Sequence, residues 1–236
     1  MNPKSIMISI QPQWVEKILN NEKTIEIRKT RPKIELPCKV YIYCTKGKQK
    51  LIEVLRKGEI KWFGKDENDK YEENVFITKP HYDYGDKKYE MLGKVVGFFT
   101  LNKIDTIEIC DPYVFRNNEQ EDWWYFKENA CLDCEEMMSY IGYGSDHDGW
   151  GSEYAKGYAW NIDNLKIYDK PKELSEFSHY IPNNECPTKQ CGTNCEDCQN
   201  YDEGHETCLA LYDAHRKIKR PPQSWFFCAE NNCGDE

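Results

Sequence analysis

The 236-residue chain is 39% hydrophobic and 31% charged, which suits one or two globular domains, and no apolar run approaches membrane-spanning length. Its net charge of −9 is unevenly spread: residues 1–61 hold 14 Lys/Arg and 6 Asp/Glu, a balance of +8, while the remainder holds 18 and 35, a balance of −17. Such a chain is poorly suited to coating long duplex nucleic acid, where phosphate neutralisation supplies most of the affinity. A local basic groove for a short strand or a single nucleotide stays open, as does a basic surface that only solvates a strand edge.

The start, Met1-Asn2-Pro3-Lys4-Ser5, has no apolar signal region with a cleavage site, so a cytoplasmic chain is expected. Its 12 cysteines are then not a disulfide framework. Ile6 to Ile10 predicts a first strand, and Pro12 suits the first turn of a helix whose Trp14, Val15, Ile18 and Leu19 share one face. Asn20-Asn21 ends that helix. Lys23-Thr24-Ile25-Glu26-Ile27-Arg28 follows with period two, so Ile25 and Ile27 face a core while Glu26 and Arg28 share the opposite face. The spacing allows a surface ion pair of small energetic weight, or a polar pair that grips a ligand. Lys39 to Thr45 alternates as a third strand, and Lys46 in the turn after it is either an anion contact or a solvated lysine.

Residues 49–92 read as an insertion. Leu51, Ile52, Val54 and Leu55 predict a helix stopped near Gly58, and hairpin signals surround Asp66-Glu67-Asn68-Asp69. Lys94 to Ile109 predicts one long strand, or two joined by a bend near Asn102-Lys103. A second insertion spans 111–157. Within it, Glu119 to Tyr140 has a helical pattern carrying Trp123, Trp124, Phe126, Met137 and Met138, an aromatic stripe read as core packing. Cys131 and Cys134 have knuckle spacing but no second pair beside them, so they are read as plain thiols. The glycine-rich run 142–157 lacks the lysine and hydroxyl of a phosphate loop. Tyr158 to Ile162 and Leu165 to Tyr168 are strands.

Residues 180–215 are a cysteine-rich insertion. Cys186, Cys191, Cys195 and Cys198 lie within 13 residues, followed by His205 and Cys208. Four thiolates so spaced can close a tetrahedral structural zinc site, with Cys208 or His205 as alternates. The segment is too poor in apolar residues to fold on a core of its own, and a metal could supply that energy; the other reading is a disordered cysteine-bearing loop. Pro221 to Phe227 then predicts a closing strand.

Residues 21–28 resemble the ASCH domain, a family of the PUA-like group of small β-barrels, whose pattern is G-x-K-x-x-E-x-R. Lys23, Glu26 and Arg28 match it, and Asn21 replaces the glycine while tolerating the same left-handed backbone. The order strand, helix, motif strand, strand, and later Gly93 to Phe99, extends the resemblance over roughly 5–110 and 155–229, outside the cysteine cluster. The insertions are similar to those of ASCH proteins encoded in bacterial mobile elements. The resemblance implies an α+β fold for 1–236, a single PUA-like, largely closed mixed β-barrel with flanking helices and an inserted helix and hairpin, to which the cysteine spacing adds the zinc loop.

It also implies two functions, and the zinc-like segment and acidic insertions themselves suggest a third. PUA-like domains mostly bind RNA, single-stranded nucleic acid or modified nucleotides in a cleft of the barrel. Lys23, Glu26, Arg28, Tyr43, Lys46, Trp160 and Trp225 are the candidates here, the aromatic residues as stacking surfaces. Some small bacterial ASCH proteins look like amidohydrolases acting on acetylcytidine through a lysine, a threonine nucleophile and a glutamate, and ribonuclease activity occurs in the wider family. Lys23 stands at that lysine, but Glu26 occupies the threonine position, and Thr24 is the nearest hydroxyl. The third function is a protein-interaction role for the insertions. Binding is the preferred expectation, with no membrane role.

Overall fold

A computed structural model describes residues 5–47, 50–55, 75–79, 91–110, 113–142, 154–179, 201–202, 207–208 and 218–230. The chain begins β1 (Ser5–Ile10), α1 (Pro12–Leu19), β2 (Ile25–Arg28), β3 (Cys38–Cys44). A hairpin of β4 (Lys50–Leu55) and β5 (Val75–Lys79) follows, then β6 (Val95–Leu101), β7 (Ile104–Cys110), β8 (Tyr113–Arg116) and β9 (Glu119–Glu121). Next come α2 (Trp123–Ala130), α3 (Cys134–Ile141), β10 (Tyr154–Asn161), β11 (Asp163–Lys172) and β12 (Phe177–His179). The chain ends in the short pair β13 (Tyr201–Asp202) and β14 (Thr207–Cys208), and β15 (Trp225–Glu230).

Two sheets carry the molecule: one of six strands ordered β11-β6-β3-β1-β15-β12, and one of five ordered β2-β10-β7-β8-β9. In the six-stranded sheet β1 and β3 are parallel, because the chain leaves β1 through α1, crosses to β2 in the other sheet, and returns. β1 is buried along its whole length. Ile6, Ile8 and Ile10 face one core, while Met7 belongs to a second on the other side of the sheet with Tyr41 and Phe177. Ser5 and Ser9 share the Met7 face and satisfy their hydroxyls on the carbonyls of Cys228 and Pro222, at 2.5 and 2.7 Å.

The layers follow from strand alternation. Trp160 of β10 joins the Ile6–Ile10 core, so the sheets meet face to face there. The opposite face of β10, with Ala155 and Ala159, packs with Ile25 and Ile27 of β2 against α2 and α3. In the β2–β10 register, Glu26 lies opposite Trp160 and Arg28 opposite Tyr158, which puts both charged side chains on the face turned toward the six-stranded sheet. All four residues of β2 are buried.

Several expectations change. The segments expected in one largely closed barrel divide between the two sheets, and among the described residues no ladder joins them. Residues 50–55 form a strand rather than a helix. Their apolar run fits either period, and pairing with β5 decides it. The helix expected over 119–140 is strand β9 and two helices. Cys131 takes a left-handed backbone (φ 54°) that stops α2, and Asp133 restarts the chain with a reciprocal capping box to Glu136. Residues 94–110 are two strands divided at Asn102-Lys103, one of the two alternatives expected. Asn21 has the left-handed conformation assigned to it, φ 59°. The hairpin tip at 66–69 and the zinc ligands Cys186, Cys191, Cys195, Cys198 and His205 lie outside the described residues, as does the Cys208 side chain. Among the described residues no cluster of His, Cys, Asp or Glu is fit to hold a metal ion, and no helix is long and apolar enough to cross a membrane.

Candidate functional site

The end of α1 delivers Lys23 into the interior. Asn20 closes the helix, its side chain exchanging two hydrogen bonds with the Phe76 backbone, at 2.8 and 2.9 Å. The turn at Asn21 then aims the chain back, and the Lys23 amide donates to the Lys17 carbonyl. The Lys23 side chain is 2% exposed, with its ammonium 5.4 Å from the Trp14 ring centre. It donates to the carbonyl of Ala130, the last residue of α2, at 2.5 Å, where the helix presents its negative end.

Glu26 joins the two cations of the motif. Its Oε2 lies 3.5 Å from Lys23 Nζ, and its Oε1 accepts from Arg28 Nη2 at 2.9 Å. The same Nη2 donates to the Ser9 carbonyl at 2.9 Å, and Nη1 reaches the Ser224 hydroxyl at 3.4 Å. Glu26 and Arg28 are 7% and 5% exposed. The motif is therefore a buried triad of two cations and one anion, not a solvated surface pair. Burial pushes Lys23 below the usual lysine range, opposed by the Glu26 carboxylate.

The triad forms the floor of a cleft of about 540 Å³. Its walls come from elements far apart in sequence: Ser9 and Ile10 of β1, Gln11 and Trp14 at the start of α1, Thr45 after β3, Glu136, Ser139 and Tyr140 of α3, and Pro222 and Gln223 before β15. Arg28 Nε is buried and has no hydrogen-bond partner among the described residues. The Lys23 ammonium has three protons, two of them directed at Ala130 and Glu26. A buried donor left unmade costs about 1–3 kcal/mol, so this floor favours a ligand that brings acceptor oxygens.

The other candidates separate from the triad. Tyr43 is buried in the core on the far side of the six-stranded sheet. Trp160 is fully buried in the core with Ile6, Ile8 and Ile10, its ring centre 6.2 Å from that of Trp225, and presents no open face. Trp225 is half-buried, donates from Nε1 to the Thr30 hydroxyl at 3.0 Å, and does not line the cleft. Lys46 lies against Gly93, where a Cβ would come within 2.7 Å of Lys46 Cε, and is also outside the lining. Thr24 is exposed and donates to Asn129 Oδ1 at 2.8 Å, turned away from Lys23. These residues sit on strands whose alternation was legible, but which sheet covered each face was not. Gln11, Ser139, Tyr140 and Gln223 were not expected. Tyr140 carried a signal, an aromatic residue at a helix end before a glycine-rich run, but it was read only as the end of the helical pattern.

Solved structures similar to this chain are those of an ASCH protein from Zymomonas mobilis. The first is 16% identical, with a TM-score of 0.44, covering 95% of this chain and 87% of that one. Two single-substitution variants of the same protein are each 15% identical, with TM-scores of 0.45 and 0.44, covering 96% and 95% of this chain and 89% of theirs. No family model and no curated protein matches the chain. The reading of the cleft rests on its own geometry.

Proposed function

We propose that the cleft binds one nucleotide unit, either free or as part of a single-stranded RNA. The observation that carries this is the buried Arg28 Nε without a partner, set beside Lys23 and held in place by Glu26 in an open cleft of nucleotide size. Glu26 spends one oxygen on each cation, so it orients the donors, and the ligand brings acceptors: base carbonyls or phosphate oxygens. The basic balance of residues 1–61 supports attraction of an anionic ligand.

The test is titration of uridine monophosphate and short labelled RNA oligonucleotides at two salt concentrations. Arg28→Ala removes a charge-assisted contact of roughly 1.5–3 kcal/mol, so it should weaken binding about tenfold or more. Equal binding by wild type and Arg28→Ala would reject the cleft. A second reading, hydrolysis of an acylated nucleoside such as acetylcytidine, is favoured by the downward push that burial gives Lys23, which makes its neutral amine more accessible as a base. With Thr24 turned away, the nucleophile in that reading is water. Release of acetate that vanishes in Lys23→Met would establish it; no release would leave binding as the function.

A further inference from the structure

We propose that Tyr140 is the surface on which a flat base lies in this cleft, with the base's carbonyl oxygens directed to the triad and its phosphate left at the rim beside Lys29. This rests on the nucleotide reading above and adds which residue supplies the stacking face.

Tyr140 is 40% exposed and lines the cleft, whereas Tyr43 and Trp160 are buried. A large ring left 40% exposed beside a charged floor has aromatic surface to give to a base, and such stacking tolerates any base. The ring is placed toward both ends of the proposed ligand site: it lines the cleft together with Arg28, and the Lys29 ammonium lies 5.8 Å from its centre. Lys29 itself is exposed. A phosphate is costly to bury and inexpensive to hold at such a rim, while the deep donors suit neutral carbonyl oxygens.

The ring's position is built into the fold. The capping box fixes the start of α3, with Asp133 Oδ1 accepting from the Glu136 amide at 2.8 Å and Glu136 Oε2 accepting from the Asp133 amide at 2.9 Å. Its end is seated on β10. A Cβ at Gly157 would come within 2.8 Å of Ile141 Cδ1 and 3.2 Å of the Arg28 carbonyl oxygen, so a larger residue there would displace the Ile141 side chain from its seat. Tyr140, the residue before Ile141, is thereby held over the end of β2 that carries Arg28.

The experiment titrates uridine monophosphate, uridine and inorganic phosphate against wild type, Tyr140→Leu, Tyr140→Phe, Lys29→Gln and Arg28→Ala, each first shown by circular dichroism to be folded at the titration temperature. Loss of one stacking face should weaken the nucleotide about tenfold in Tyr140→Leu. Tyr140→Phe, which keeps the ring, should bind as wild type does. Lys29→Gln should weaken the monophosphate but leave uridine unchanged, and inorganic phosphate should bind weakly to every variant. If Tyr140→Leu binds as wild type does while Arg28→Ala loses the ligand, or if Tyr140→Phe is as impaired as Tyr140→Leu, this inference falls and the cleft stands. If Arg28→Ala binds as wild type does, or wild type binds no probe, the cleft itself falls.

Discussion

Lys23 and Arg28 contact the same carboxylate, yet they should contribute oppositely to stability. Arg28 Nη2 supplies both Glu26 Oε1 and the Ser9 carbonyl at 2.9 Å, so Arg28→Met strands two buried acceptors. Breaking a buried pair from one side costs about 3–5 kcal/mol. Lys23→Met strands the Ala130 carbonyl but leaves Glu26 its shorter bond to Arg28, and it removes a buried ammonium whose dominant effect is desolvation, which offsets the lost hydrogen bond. Its urea-unfolding free energy should stay within about 1 kcal/mol of wild type, or exceed it, in the manner of a residue kept for function. The sign of the pH dependence follows. Lys23 has a folded pKa below its unfolded value of 10.5, so its burial cost is present in full below the folded pKa and relieved as pH rises toward 10.5. Wild type should therefore gain on Lys23→Met with alkali. Equal losses in both variants, or a difference that does not move with pH, would show that Lys23 is a structural partner. The three residue types and their spacing were legible in the sequence. Their burial was not, because it depends on the six-stranded sheet arriving over β2, which no local pattern encodes.

At the scale of elements, the placement of α3 ties packing to the site. Gly157→Ala should cost about 1–3 kcal/mol, since one of the three atoms a Cβ would crowd is the Arg28 backbone carbonyl oxygen, which cannot rotate away as the Ile141 side chain can. It should also weaken nucleotide binding more than its stability loss alone implies, because relief of the contact moves the end of α3 and Tyr140 with it. Thermal unfolding and the uridine monophosphate titration check both halves; a destabilised variant with unchanged affinity would uncouple α3 from the cleft. The sequence hid this element inside one long helical pattern. The break at Cys131 uses a left-handed residue that is not glycine or asparagine, so the usual stop signal is missing. The restart was written in Asp133 and Glu136, three residues apart, and is a spacing that sequence reading can use. Residues 50–55 were lost to a different cause: four apolar residues in five fit a buried strand as well as a helix, and only the partner β5 decides.

For the whole molecule, period-two patterns located β1, β2, β3, β6 and the β10–β11 region, but not their division into two sheets. That division is set by pairs such as Ile6 with Phe227, at opposite ends of the chain. Local alternation fixes which side chains share a face; it does not say which sheet covers that face. The cysteine-rich segment is inserted before β15, and β15 closes onto β1, so the segment should behave as a unit separable from the sheets. One zinc per chain is predicted at Cys186, Cys191, Cys195 and Cys198, lost together with both thiols in Cys195→Ser with Cys198→Ser. Elemental analysis checks the metal, and a chelator should leave the thermal unfolding of the sheets in place. Equal zinc in wild type and the double variant would refute the site.

The most direct test of the central claim is the Arg28 Nε–H resonance, followed by nitrogen-15 NMR while uridine monophosphate is added. The bound nucleotide is predicted to give this proton the acceptor it lacks, so its signal should move downfield and its exchange with water should slow in step with saturation. Saturation with no change at Arg28 Nε would place the ligand elsewhere and contradict the account.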